Sequence, residues 1–420
     1  MKPPRHVCLV SQWYPPEPVD LPEWIAAALS REGWAVQVLT GMPNYPRGVI
    51  YEGFQAWHHC RESRGGLSVL RCPLFPSHGS SALGRAANYL SWAISATFRG
   101  VRELRAADVN LVYSSPATAA IPAVTAKLIF GRPYVLIVQD LWPDSIFASG
   151  FLPGSTTSWV ARSVIGGFAR LVYSLASSVS VISPGMYDEL ARRGVEQKKL
   201  HLIYNWVNES CFRPTAANED FRSSLGIEQS EFVLMYAGNH GAAQDLGNAI
   251  DALSLLSSEL KVHLILVGDG VEKPALVDRA RQHRGLRVHF LPPQPAHLMA
   301  PVMAAADFQL VSLRDSALFR ITMPSKVQAI LASGSPVIVC APGDAARVVA
   351  DADCGLSCPP GDPESLAAAI VEAVSMTVGQ RAEKGRNARA YYCKHMAETV
   401  GVASLSALLA EAVGSNQSVG

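Results

Sequence analysis

Residues 312–339, SLRDSALFRITMPSKVQAILASGSPVIV, carry the reading on which the rest of the chain is built. A basic, irregular segment with Arg314 and Arg320 runs into Met-Pro-Ser-Lys. A helical pattern follows over Ser325–Ala332, and Gly334-Ser-Pro turns the chain into the apolar run Pro336–Val339. Ser325 has the chemistry of an N-cap, and Lys326 falls in the first helical turn. A cation in that place opposes the helix macrodipole, so Lys326 needs a reason to be there. A diphosphate held by the orphan amides of the helix start, the Ser325 hydroxyl and the Lys326 ammonium supplies one. A lysine turned out to solvent is the plain alternative.

Outward from this segment the same alternation recurs in both directions. Short apolar runs read as buried strands: 6–10, 35–39, 69–72, 109–113, 134–138, 179–182 and 200–204, then 232–236, 262–267, 287–291, 308–311, 336–339 and 355–358. Segments with helical spacing separate many of them, at 22–31, 83–105, 186–193, 247–257, 273–282, 325–332 and 363–375. Two rounds of β-α alternation predict two doubly wound parallel sheets. The break between them falls at Asn205–Thr215, where Asn, Pro and polar residues interrupt both patterns. We therefore expect one Rossmann-like domain over 1–208 and a second over 209–395. Helices around 396–414 are expected to pack back on the first domain, and 415–420 to form a flexible tail. Ligands in such sheets bind outside the carboxyl ends of the strands, so the residues that follow each strand are the ones to inspect.

Composition narrows the function classes. Of 420 residues, 49% are apolar and 17% charged, which excludes a disordered or coiled-coil chain. The net charge of +1 gives no sign of a nucleic-acid binder. That average hides an asymmetry: residues 1–205 hold 19 Lys and Arg against 13 Asp and Glu, and residues 206–420 hold 17 against 22. The eight cysteines lack framework spacing and read as free thiols in a reducing compartment. The start of the chain has too short an apolar run for a secretory signal, and no uninterrupted apolar stretch reaches the roughly 18 residues of a spanning helix. A cytoplasmic, non-spanning protein is expected.

Several further constellations follow strand ends. Gly238-Asn239-His240-Gly241 leads through Gln244 into a helix, either bringing backbone close to an anionic ligand or forming an ordinary tight turn. Gly268-Asp269-Gly270 is a nucleoside cradle or a plain β-turn on equal terms. In the first half, Gln139-Asp140-Leu-Trp142-Pro-Asp144-Ser puts two carboxylates and an indole where a sugar or acceptor would be held. Asp144 as a turn cap and Trp142 as core are the alternatives. The Pro-rich aromatic loops 11–18, with Tyr14 and Glu17, and 40–48, with Asn44 and Tyr45, lie at the same end of the sheet. Segment 83–105 mixes four arginines with Tyr89, Leu90, Trp92, Ile94 and Phe98. It suits either an anionic membrane surface or a buried helix with arginines at its ends.

Taken in order, these pieces resemble the family 4 retaining glycosyltransferases of GT-B fold. Within them, the chain resembles the branch of bacterial polysaccharide enzymes that includes the colanic-acid and N-acetyl-fucosaminyl transferases. The resemblance rests on Tyr-Pro-Pro-Glu (14–17), Thr-Gly-Met-Pro-Asn-Tyr-Pro-Arg-Gly (40–48), Asp-Leu-Trp-Pro-Asp-Ser (140–145) and Ser-Pro-Gly-Met (183–186). It continues through Tyr-Asn-Trp-Val-Asn (204–208), Tyr-Ala-Gly-Asn (236–239), Val-Gly-Asp-Gly (267–270), Pro-Ser-Lys (324–326) and the glycine turns of 343–367. It implies two Rossmann-like domains flanking a cleft, with a nucleotide-sugar donor, UDP-linked by preference, in the second. On this reading Asp140, Lys326 and Arg320 are catalytic. Gly238, Asn239, His240, Gly241, Gln244, Gly268, Asp269, Gly270, Ser325 and Gln328 bind the donor. Tyr14, Glu17, Asn44, Tyr45, Trp142 and Asp144 bind the acceptor. The resemblance further implies no cofactor and no metal, a polyprenyl-diphosphate-linked acceptor, and peripheral attachment to the inner face of a bacterial membrane through the basic first domain.

The chain also departs from the wider family. Two glutamates eight positions apart around the 325–332 helix are replaced by Ile321 and Ala329, with Gln328 one position out of register. A donor-phosphate lysine is replaced by Gln244, and a histidine after the 134–138 strand by Gln139. The departures keep two other readings open: a catalytically silent scaffold that binds a partner, and a sugar-nucleotide epimerase using Asp140, Asp144 and His240.

Overall fold

The computed structural model describes residues 5–79, 81–148, 156–217, 219–283 and 285–417. The chain divides into two compact units, Met1–Tyr204 with Gly401–Gly420, and Asn205–Val400.

In the first unit, mostly valine- and leucine-rich runs form the strands of a largely parallel sheet, its inner strands buried on both faces and its edge strand Cys60–Arg64 charged. These are β1 (His6–Val10), β2 (Ala35–Gly41), β3 (Cys60–Arg64), β4 (Leu67–Cys72), β5 (Val109–Ser114), β6 (Tyr134–Val138), β7 (Ser178–Val181) and β8 (Leu200–Leu202). Their order is β3-β4-β2-β1-β5-β6-β7-β8, parallel except for β3 against β4. Val7 sits opposite Val36 on β2 and Val109 on β5, so the strand order reverses direction at β1. A crevice at that reversal is where such sheets receive ligands.

The second unit repeats the plan with β9 (Phe232–Ala237), β10 (Val262–Val267), β11 (Arg287–Leu291), β12 (Phe308–Ser312), β13 (Val337–Cys340) and β14 (Gly355–Ser357). The order β11-β10-β9-β12-β13-β14 is parallel throughout and reverses between β9 and β12. Its core packs Leu234, Tyr236, Ile250, Leu264, Phe308, Ile338 and Leu366, all buried. Two doubly wound parallel sheets are therefore present, as the strand pattern implies.

Four details differ from the sequence reading. β3 was not expected: its Cys-Arg-Glu-Ser-Arg sequence lacks apolar alternation, and it forms as an antiparallel edge through the turn at Gly65 and Gly66, both at positive φ. The helix expected over 83–105 breaks into Ala82–Arg99 and Val101–Ala106. Gly100 joins them where a Cβ would stand 2.6 Å from both the Ala96 carbonyl oxygen and a Leu39 methyl. Cys340 and Cys358, expected as free thiols, are joined in a disulfide at the ends of β13 and β14. The unit boundary lies at Tyr204–Asn205 rather than after 208.

From Gly401 the chain returns to the first unit. The helix Glu398–Gln417 carries residues 415–417, so the expected tail is helical at its start, while 418–420 lie outside the described residues. Residues 378–416 include a window long and apolar enough to cross a membrane, but Val402, Leu405, Leu409, Ala412 and Val413 are buried in the protein. The Trp34 indole N–H donates to Ser406 Oγ at 2.9 Å, tying the returning helix to β2's leading turn.

Candidate active site

In the second unit the loops after β9 and β10 interlock. Gly238 N donates to Val267 O at 2.9 Å and His240 N to Asp269 O at 2.8 Å, while Glu272 N returns a bond to His240 O at 2.9 Å. The approach is so close that a Cβ on Gly268 would lie 1.9 Å from Gly238 O, and one on Gly270 2.4 Å from His240 O. Gly238, Gly268 and Gly270 all have φ between 143° and 157°, open to glycine and costly for other residues. These two glycines of the Gly-Asp-Gly turn thus serve loop-on-loop packing. Lys273 Nζ closes the underside by donating to Gly268 O at 2.8 Å.

Lys326 stands at the second position of the helix Ser325–Ala332, across the β9/β12 reversal from the Gly238 turn. Its Nζ donates to Tyr236 Oη at 2.5 Å and lies 3.9 Å from the centre of that ring. Tyr236 passes the polarity on, donating its hydroxyl hydrogen to Asn239 O at 2.7 Å. A Cβ at Gly238 would come 3.4 Å from Lys326 Nζ, so the glycine backbone lies directly against the ammonium. Burial pushes the lysine pKa from 10.5 down to about 7. The Lys326 ammonium thus lies against the Gly238 turn, on a helix whose first backbone amides have no partner within the helix.

The other expected donor residues divide. Ser325 is exposed, and it is the first helical residue rather than the cap, because Pro324 occupies the extended cap position. Gln328 is 1% exposed, and its amide turns inward to donate to Pro324 O at 2.9 Å and Ser325 O at 3.0 Å, which removes it from ligand contact. Gln244 Oε1 accepts from Gly241 N at 3.2 Å and so holds the turn. His240 is fully buried against Tyr236, and burial with the neighbouring Lys273 charge keeps its pKa below the usual value. Asn239 shares its carbonyl with Tyr236, and Asp269 is exposed at the rim. Arg320 is exposed and bound by the Asp315 carboxylate at 2.9 and 2.6 Å, an ion pair a donor would have to share or break. Arg314 lies 3.8 Å from Asp245.

In the first unit, Asp140 follows β6 and accepts from Ser115 Oγ, after β5, at 2.7 Å. Burial raises the pKa of the carboxyl, and the Ser115 bond only partly offsets it. Its charge reaches Tyr45 and Tyr89, which cluster with Trp13 and His78. Trp13 and Tyr45 have ring centres 4.8 Å apart, and Tyr45 meets His78 edge-on at 4.6 Å. Of the four, only Tyr45 is among the residues expected to bind the acceptor; Trp13 falls in the loop 11–18 and Tyr89 in the segment 83–105, and the four share no local motif.

Most of the expected acceptor residues instead build the walls. Glu17 is 1% exposed and accepts backbone N–H bonds from Tyr14 at 3.1 Å and from Asn44 and Tyr45 at 2.8 Å, clamping the two Pro-rich loops together. Tyr14 is fully buried, and Asn44 spends its amide on Met42 O and Asn88. Asp144 is neutralised by Arg162 and Arg193, and the same Arg193 holds the Trp142 carbonyl at 3.0 Å. Glu17 and Asn44 thus satisfy loop backbone groups that would otherwise be orphaned, Asp144 is engaged by two arginines, and Tyr14 is packed in the core with no partner for its hydroxyl among the described residues. Trp142 remains partly exposed.

Two doubly wound units, each with a polar cluster at its strand reversal, define the architecture of a GT-B glycosyltransferase. The Glycosyl transferase 4-like domain family matches residues 22–206, and the Glycosyl transferases group 1 family matches 231–376. The chain is 30% identical over 327 residues to WcaI of Escherichia coli, named as a colanic acid biosynthesis glycosyl transferase, covering 77% of this chain and 78% of that protein. It is 25% identical over 308 residues to the glycosyltransferase WbjE of Pseudomonas aeruginosa, covering 72% and 75%. Anabaena Alr3699/HepE, solved in complex with UDP and glucose, matches with a TM-score of 0.68 at 19% identity over 97% of this chain and 100% of that one. The chain belongs to the glycosyltransferase family that joins a 4-like domain to a group 1 domain.

Proposed function

We propose that this glycosyltransferase moves a sugar, with retention, from a UDP-sugar to a saccharide carried on a polyprenyl diphosphate in bacterial exopolysaccharide, capsule or O-antigen synthesis. The observation that carries the reading is Lys326, lowered to a pKa of about 7 beside the Gly238 turn and held by Tyr236. A lysine kept so far from water gains its charge when a diphosphate arrives. That charge then stabilises the leaving group as the sugar–phosphate bond breaks, with the helix amides adding fixed dipoles. The acceptor hydroxyl attacks from the side on which the phosphate departs. Asp140, a partly buried carboxyl with a raised pKa, is suited to exchange the acceptor's proton. WcaI's name supports the polysaccharide setting, and HepE's complex supports the UDP donor.

We further place the chain at the cytoplasmic membrane face. In support, the helix Ala82–Arg99 leaves Leu83, Leu90, Ile94 and Phe98 exposed, continued by exposed Val101, with Arg99, Arg102 and Arg105 alongside.

The test is a melting-temperature panel with UDP, GDP and dTDP, followed by transfer from the matching nucleotide sugars to lipid-linked acceptors. Stabilisation by UDP and sugar transfer lost in Lys326→Ala are expected. A protein stabilised by no nucleotide is instead the silent scaffold suggested by Ile321 and Ala329, where carboxylates were expected.

A further inference from the structure

The aromatic cluster of the first unit has the construction of a binding site rather than of a core. Trp13, Tyr45, His78 and Tyr89 are each only partly buried. Trp13 lies 4.8 Å from Tyr45, 6.1 Å from His78 and 6.2 Å from Tyr89, at steep angles to the last two, so the rings enclose a corner instead of stacking shut.

Three of the four rings are neighbours in sequence of one buried amide network. Gln12 Nε2 donates to Asn88 Oδ1 at 2.7 Å, and Asn88 Nδ2 donates to Asn44 Oδ1 at 3.0 Å and Phe75 O at 2.7 Å. Gln12, Asn44 and Asn88 thereby fix the backbones of Trp13, Tyr45 and Tyr89, and Glu17 adds a bond to Tyr45 N. Such preorganisation lowers the ordering cost of binding.

Chemistry narrows the occupant. The Asp140 charge reaches both Tyr45 and Tyr89, raising both phenols further after burial has done so. Its Oδ1 makes no hydrogen bond among the described residues. Arg85 reaches His78 with positive charge, which disfavours a cationic ligand. Partly exposed rings within electrostatic reach of a carboxylate suit a neutral molecule with an apolar face and hydroxyl edges.

We propose that Trp13, Tyr45, His78 and Tyr89 form the platform on which the ring of the acceptor's terminal sugar packs, with Asp140 accepting a bond from one of its hydroxyls. This rests on the acceptor being a saccharide, as argued under Proposed function. The platform determines acceptor specificity, while Lys326 and the Gly238 turn govern the donor.

The experiment uses the full chain with methyl glycosides of glucose, galactose, N-acetylglucosamine and fucose as probes, followed by saturation-transfer NMR, and with UDP followed by melting temperature. At least one glycoside binds, and its affinity falls about tenfold in Tyr89→Leu and in His78→Leu as ring contacts are lost, while UDP stabilisation is unchanged. Tyr89→Phe keeps the ring and retains affinity within about twofold, which separates stacking from a folding defect. A wild type that binds none of the four, or leucine variants that bind as the wild type does, overturns the platform. A wild type indifferent to UDP overturns the donor reading instead, and the two failures are read from separate measurements.

Discussion

Raising the pH from 7 to 9 should weaken UDP binding by about 50-fold, and Lys326 is the cause. Without ligand its pKa is about 7, so half the molecules carry the charge at pH 7. At pH 9, two units higher, about one in a hundred does. A diphosphate between the Gly238 turn and the helix start needs the ammonium charged, so binding above pH 7 takes up a proton, and the observed affinity falls with the charged fraction. The phosphate's own last proton leaves near pH 6, so the ligand's charge is nearly constant across the window. Titration calorimetry at each pH, in two buffers of different ionisation enthalpy, measures affinity and proton uptake together. Lys326→Arg stays charged throughout and should flatten the profile, while Lys326→Ala should bind weakly at every pH. The ligand-free protein moves the other way. Between pH 7 and 10.5 the unfolded lysine holds the proton that the folded one has released, so stability rises with pH across that window. A wild-type affinity flat from pH 7 to 9, or a slope that survives in Lys326→Arg, refutes the assignment.

Other consequences can be measured more simply. Gly268→Ala drives a methyl into Gly238 O and should abolish UDP stabilisation while the first unit keeps its fold, checked by calorimetric unfolding of the two units. Asn88→Leu leaves the Asn44 and Gln12 amides and the Phe75 carbonyl without a shared partner; a loss of about 3 kcal/mol in urea unfolding is expected, and a loss under 1 kcal/mol contradicts the network. Leu90→Glu with Phe98→Glu should cut co-sedimentation with anionic vesicles at least about fivefold, with neutral vesicles unaffected. Equal co-sedimentation of wild type and variant removes the helix Ala82–Arg99 from the membrane contact.

The sheets were legible because parallel strands are buried on both faces and must be written in apolar runs. The charged edge strand β3 escaped for the same reason: it needs no such run, only the Gly65-Gly66 turn. Lys326 stood out because a cation in a first helical turn works against the macrodipole, a cost visible without coordinates. Tyr236 did not, since one aromatic among Phe-Val-Leu-Met-Tyr-Ala reads as core until its hydroxyl is seen between Lys326 and Asn239. Polar residues in loops misled most. Nothing in the sequence tells whether Glu17, Asn44 or Gln328 faces a ligand or turns inward to satisfy backbone amides and carbonyls, and each turns inward. The aromatic corner was invisible because residues 13, 45, 78 and 89 meet only once the strands are ordered.

In the proposed reaction a nucleotide diphosphate docks on Lys326 as the leaving group of sugar transfer. Radiolabelled transfer from UDP-sugars to a lipid-linked saccharide, run side by side with wild type and Lys326→Ala, tests it most directly. Labelled lipid product is expected from the wild type, with a loss of at least about a hundredfold in the variant, as removal of one charge-stabilising group at a leaving group entails. Transfer by the Lys326→Ala protein at the wild-type rate would contradict it.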